Sequence, residues 1–353
     1  MHALFHRHSP LRIFAISGII SITALSLVYV YMGFHAALVA LMLVVIELTF
    51  SFDNAIINAR VLSTMTLFWQ RMFMTVGIVI AVFGMRIVFP ILIVMVTAGL
   101  PWDQVVGLAL NNPDHYAEVL HKAHPSIAAF GSMFLLMLTL HFFFDTSREI
   151  RWIGKIEKPL QLIGRKWLHS VVCLVILLIV VLLPVNHHPT EVLSAGLVGI
   201  FTYLLIHGAS ELFTLQHEKA EKKAGKAIQK AGIAGLASFI YLEVLDASFS
   251  FDGVIGAFAV TKDVVLIAVG LGVGALWVRS LTLFIVHRKV LHAYRYLEHG
   301  AHYVIGILAL TLLLGLFYEI PEMLAGLFGI LVIAAAIFSS VKMNKREDDT
   351  IQL

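Results

Sequence analysis

Glu47-Leu-Thr-Phe-Ser51-Phe-Asp53-Asn54 and Asp246-Ala-Ser-Phe-Ser250-Phe-Asp252-Gly253 are one phrase written twice in distant parts of the chain. Each copy sets an acid, then three residues, then Ser-Phe-Asp, and a small or polar residue follows. Both lie inside stretches apolar enough to cross a membrane, where an ionisable group costs about 2.5–3.5 kcal/mol on insertion scales. Such groups persist where they meet a partner or a water-filled cavity. Two copies predict one polar site assembled from two parts of a duplicated membrane protein. Glu47, Ser51, Asp53, Asn54, Asp246, Ser250 and Asp252 supply carboxylate, hydroxyl and amide oxygens. Hard oxygen donors suit Mn²⁺, Ca²⁺ or Mg²⁺ rather than Zn²⁺ or Cu⁺.

Charge counting adds to this. Glu47, Asp53, Glu243, Asp246 and Asp252 face only Arg86 and Arg279 as buried cations, each arginine one helix after a motif. A divalent cation plus a proton would nearly balance the excess, and protons replacing the cation would give antiport. The competing reading is that the acids pair with the arginines and lock the fold, which at this level accounts for two of the five.

Successive helical residues advance about 100°, so Glu47, Ser51, Asn54 and Asn58 share a stripe, as do Glu243, Asp246, Ser250 and Gly253. Asp53 and Asp252 fall off it. Either each helix is straight and these two acids address another neighbour, such as Arg86 or Arg279, or the backbone unwinds within each motif and frees carbonyls. The expectation is a local break, made easier in the second copy by Gly253 and Gly256.

The rest of the chain must position these groups. Hydrophobic residues make up 59% and charged residues 13% of it, about half the charge of a soluble domain. The fold class is therefore all-α: a polytopic helix bundle. About ten spans are long enough: 11–32, 36–59, 72–98, 127–145, 168–184, 192–213, 233–260, 264–286, 302–318 and 323–341. The first is too long for a signal-peptide core and is expected to be retained. Lys and Arg concentrate in alternate loops, among them 146–167 and 214–232. The positive-inside rule then puts both termini in the cytoplasm, of a multi-pass protein in the cytoplasmic (inner) membrane. Two repeats follow, 1–184 and 185–353, the second ending in a short tail. Five helices in each would invert the second relative to the first, a transporter plan with the substrate at the midplane. The net charge of +3 belongs to these loops and indicates no nucleic-acid partner. Cys173, the single cysteine, excludes a disulfide framework and a thiolate cluster.

Two pairs at i, i+4 spacing, His141 with Asp145 and His207 with Glu211, could relay protons or touch a metal in a vestibule; interfacial capping is the plainer account. Gly270-Leu-Gly272-Val-Gly274 follows no strand and reads as close helix packing, not a phosphate loop.

The paired motifs and the arginine helix after each resemble the TerC family of integral membrane proteins. The wording Leu-Asp-Ala-Ser-Phe-Ser-Phe-Asp-Gly-Val-Ile-Gly is most similar to the branch known as domain of unknown function 475. The resemblance covers about residues 35–340. It implies a small-solute or cation exporter, with Mn²⁺ efflux the best-supported activity of TerC relatives and tellurite resistance the historical label. Gly253, Glu243 and the long basic loops depart from that pattern.

The expected function is thus export of a divalent metal, Mn²⁺ first, by proton-coupled alternating access, with no prosthetic group and no enzymatic activity. The bilayer, the metal and protons are the expected partners. A second reading is a non-transporting membrane subunit of a metal-loading or tellurite/stress-resistance complex. A third, an intramembrane aspartyl protease using Asp53 and Asp252 as a dyad, lacks the Tyr-Asp and Gly-x-Gly-Asp contexts of such enzymes.

Overall fold

A computed structural model describes residues 10–165, 167–221, 232–318, 320 and 322–351. At 10–12, 210–221, 251–252, 255, 259, 322–325 and 346–351 it describes the backbone alone. Every regular element among the described residues is helical, as a backbone without water to satisfy it requires. Fifteen α-helices and one π-helical segment follow in order: α1 (Pro10–Phe50), α2 (Phe52–Leu62), α3 (Leu67–Val79), the π segment (Ile80–Val88), α4 (Phe89–Ala98), α5 (Trp102–Asn111), α6 (Pro113–Lys122) and α7 (His124–Phe144). Then come α8 (Gly154–Ile163), α9 (Leu168–Leu182), α10 (Pro189–Glu221), α11 (Gly232–Val260), α12 (Val264–His287), α13 (Val290–Ala293), α14 (Leu297–Gly315) and α15 (Glu322–Ile351).

Among the described residues eight helices are long and apolar enough to cross a membrane, and the apolar α9 is joined to α8 at an angle of 101°. The longest, α1, consists of two helical limbs. Gly33 breaks it with φ 90°, a conformation open to glycine. Before the break, Ser17 meets Ser280 and Trp277 donates to Ser21, while Val28 packs with Leu266. After it, Leu43 abuts Gly270 and Glu47 abuts Gly274. The first limb runs antiparallel to α12 and the second parallel, so the chain reverses at Gly33. This agrees with separate spans at 11–32 and 36–59.

The chain forms two compact units, 1–124 with 209–288, and 125–208 with 289–353. These divide it differently from the repeats 1–184 and 185–353: each unit draws on both. In the first unit α12 is central, packed by both limbs of α1, by α2 and by the π segment. Its glycines permit this approach: a Cβ on Gly270 would collide with Leu43, and one on Gly274 with Glu47. In the second unit α14 packs on α15, and Gly199 of α10 lies against the Phe130 carbonyl of α7.

Candidate functional site

The first motif bends but does not unwind. Ser51 separates α1 from α2 at φ −98°, ψ 16°, yet Ser51 N still donates to the Glu47 carbonyl and Ala55 N to the Ser51 carbonyl. The second motif lies in the unbroken helix α11. The expected break is therefore a one-residue kink in one copy and absent from the other; Gly253 and Gly256 are accommodated in regular helix. The kink puts Asp53 in the first turn of α2, where exposed N–H groups favour an acid.

Glu47, Asp53, Asn54, Asn58, Arg86, Glu243, Asp246, Ser250 and Arg279 are all buried. Arg86 sits in the π segment, whose wider turn lets its Nη1 donate to the Ala81 carbonyl of its own helix at 3.0 Å. Its Nη2 bonds Glu47 Oε1, which also accepts from Ser51 Oγ at 3.3 Å. Arg279 of α12 grips Glu243 with both terminal nitrogens, at 3.1 and 3.0 Å. It also donates to Asp246 Oδ2 at 3.2 Å and to the Phe73 carbonyl at 3.1 Å, and lies over the Phe73 ring, 4.1 Å from its centre. Asp246 joins the two arginines: its Oδ2 is 3.9 Å from Arg86 Nη1, and its Oδ1 accepts from Asn54 Nδ2 at 2.9 Å. One continuous network thus runs Ser51, Glu47, Arg86, Asp246, Arg279, Glu243.

The two motifs meet antiparallel, and their contacts exchange with each other. Asn54 faces Asp246, and Gly253, the counterpart of Asn54, faces Glu47, the counterpart of Asp246; a Cβ on Gly253 would lie 3.2 Å from Glu47 Oε2. Likewise Glu47 pairs with Arg86 and Asp246 with Arg279. The arginines hold three acids, Glu47, Asp246 and Glu243, where two were expected to be neutralised. Neither arginine pairs with Asp53 among the described residues. The Asp252 side chain lies outside the described residues.

Three buried acceptors in this region have no hydrogen-bond partner among the described residues: Asn54 Oδ1, Asn58 Oδ1 and Ser250 Oγ. Unpaired buried oxygens cost about 1–3 kcal/mol each. No three His, Cys, Asp or Glu side chains converge on a ready-made metal centre among the described residues.

Of the histidine pairs singled out as relays, His141 and Asp145 lie close enough to interact electrostatically. Asp145 turns to Ser147 N and Oγ, at 2.9 and 2.7 Å, and to Arg148 at 3.5 Å. His141 also sits edge-on to His207 and to His169, with ring centres 4.4 and 5.0 Å apart, around the buried Tyr203. The Glu211 side chain lies outside the described residues. His169, Tyr203 and Glu157, a carboxylate buried in the 146–167 connector, escaped the sequence reading. Each comes from a segment sharing no motif with its neighbours, so only its place in a helical face could have marked it.

This is a multi-pass α-helical membrane protein with a charge network buried between two copies of one motif. The chain belongs to the family described as "Protein of unknown function (DUF475)", whose model matches residues 52–347. That match contains Asp53, Arg86, Asp246 and Arg279 and begins after Glu47 and Ser51. No curated protein and no solved structure matches the chain.

Proposed function

We propose that this protein exports a divalent cation, Mn²⁺ first, by alternating access coupled to protons, as a member of the wider TerC group in the cytoplasmic membrane. The observation that carries the reading is the set of unpartnered buried oxygens beside the paired acids: Asn54 Oδ1, Asn58 Oδ1 and Ser250 Oγ are hard donors without a donor opposite them among the described residues. A dehydrated divalent ion is a suitable partner for such atoms. Two arginines hold three of the acids, so an entering cation would compete with the guanidinium groups for the same carboxylates. Entry of the ion would draw Glu47 or Asp246 away from its guanidinium, and protons would serve the same carboxylates on the return. The exchangeable contacts between motifs support an inverted repeat with its axis near Ser51 and Ser250, the geometry that lets one site face either side in turn. With an odd number of helices per repeat, the loop charges favour cytoplasmic termini.

A second reading has an observation of its own. The arginine network is dense enough to act as a structural lock in a non-transporting subunit. Uptake of Mn²⁺, Ca²⁺ and Mg²⁺ into proteoliposomes under an imposed pH gradient separates the two. Flux of a divalent cation that collapses the gradient is expected; no flux of any cation would leave the structural reading.

A further inference from the structure

The 146–167 connector contains a helix whose polarity is inside out. In α8 the buried side chains are Glu157 and Gln161, while Ile156, Leu162 and Ile163 are 48%, 79% and 58% exposed. The polar face is fully engaged. Glu157 accepts from the backbone N–H groups of Trp152 and Ile153, both at 3.0 Å, and from Tyr303 Oη of α14 at 3.1 Å. Gln161 Oε1 accepts from Arg151 Nε at 2.5 Å, and its Nε2 donates to the Arg148 carbonyl at 3.4 Å. Arg148 in turn reaches Glu298 of α14 at 3.4 Å. These bonds fix the rotation of α8 about its own axis and turn its apolar side outward. A helix in water would do the reverse.

Its direction is equally telling. α8 meets α9 at 101°. Where α9 crosses the membrane, α8 lies roughly in the membrane plane at its surface. Lys155 and Lys158 share the outward arc of α8 with Leu162, beside Ile156 and Ile163, and Arg165 and Trp167 follow it, all exposed. In-plane orientation, outward apolar side chains, basic side chains beside them and a tryptophan together fit a helix seated at the headgroup–acyl boundary.

We infer that α8 is an interfacial helix that binds anionic lipid headgroups through Lys155, Lys158 and Arg165 while Ile156, Leu162 and Ile163 enter the acyl region. The inference rests on the topology proposed above only for which leaflet this is, the cytoplasmic one, and stands whether or not the protein carries a cation. The Glu157–Tyr303 hydrogen bond ties α8 to α14.

The test uses the full-length chain in nanodiscs of phosphatidylcholine with or without phosphatidylglycerol. Nitroxides are attached at Leu162→Cys and Ile163→Cys; Cys173 is fully buried, and the parent chain serves as the labelling blank. Both labels should collide more often with oxygen than with a water-soluble nickel complex. Dominant nickel collisions, or protection from both reagents as by another protein, would overturn the inference. Lys155→Gln/Lys158→Gln/Arg165→Gln should lower the enrichment of phosphatidylglycerol in the retained lipid, read by native mass spectrometry, by on the order of tenfold. Inorganic phosphate should not displace it. Unchanged enrichment, or displacement by phosphate, would equally refute headgroup binding. These surface changes leave the Glu157 network intact, so cation flux reports separately on the proposed transport.

Discussion

Arg279 is the strongest single anchor of the buried network, and a double-mutant cycle with Glu243 measures it. Its guanidinium makes three bonds to carboxylate oxygens at 3.0–3.2 Å and one to a main-chain carbonyl. Arg279→Gln leaves Glu243 and Asp246 close together without their shared cation, and breaking a buried pair from one side costs about 3–5 kcal/mol. Glu243→Gln strands less, because Asp246 still receives the guanidinium; about 2–3 kcal/mol is expected, the scale of a lost charged hydrogen bond. The double variant removes one charge of each sign. At an effective dielectric of about 20, unit charges 4 Å apart attract by about 4 kcal/mol, so the coupling should be about 2–4 kcal/mol and the double variant well short of the sum. Reversible unfolding in bicelles by steric trapping supplies the four stabilities. Additivity within about 0.5 kcal/mol would mean that the bidentate pair contributes nothing, and the account of the network would fail.

Asp53→Asn should leave stability within about 1 kcal/mol, because no arginine holds this carboxylate among the described residues, yet abolish Mn²⁺ flux in proteoliposomes; normal flux with lowered thermal stability would assign Asp53 a structural role. Gly274→Ala should destabilise by about 1–3 kcal/mol, since its Cβ would lie 2.5 Å from that of Glu47; an unchanged melting temperature would show that the helices can part at no cost. At Gly33, with φ 90°, alanine is expected to cost about 1–3 kcal/mol through backbone strain alone, measurable as earlier thermal unfolding. If Gly33→Ala melts like the parent chain, the reversal does not depend on that conformation.

Some of this molecule was written into its linear order. The repeated Ser-Phe-Asp phrase, the arginine one helix later and the run lengths required a helical membrane bundle, because lipid tolerates neither an open backbone nor an unpaired charge. The stripe of Glu47, Asn54 and Asn58 also emerged from the 3.6-residue period alone, and all three are buried. A helical wheel names a face but never the neighbour it meets. Packing decided that Asp246 would bridge both arginines and take the Asn54 amide, and that Glu243 would bind both terminal nitrogens of Arg279. It also decided that Asp53 would stand apart at the start of a kinked helix. The straightness of α11 through Gly253 and Gly256 was equally a tertiary outcome, since neighbouring helices set whether a permissive residue bends. The connector reads as a basic loop in one dimension. Only the hydrogen bonds of Glu157 and Gln161 to groups distant in sequence or main chain turn its polar face inward and leave its apolar face for the membrane.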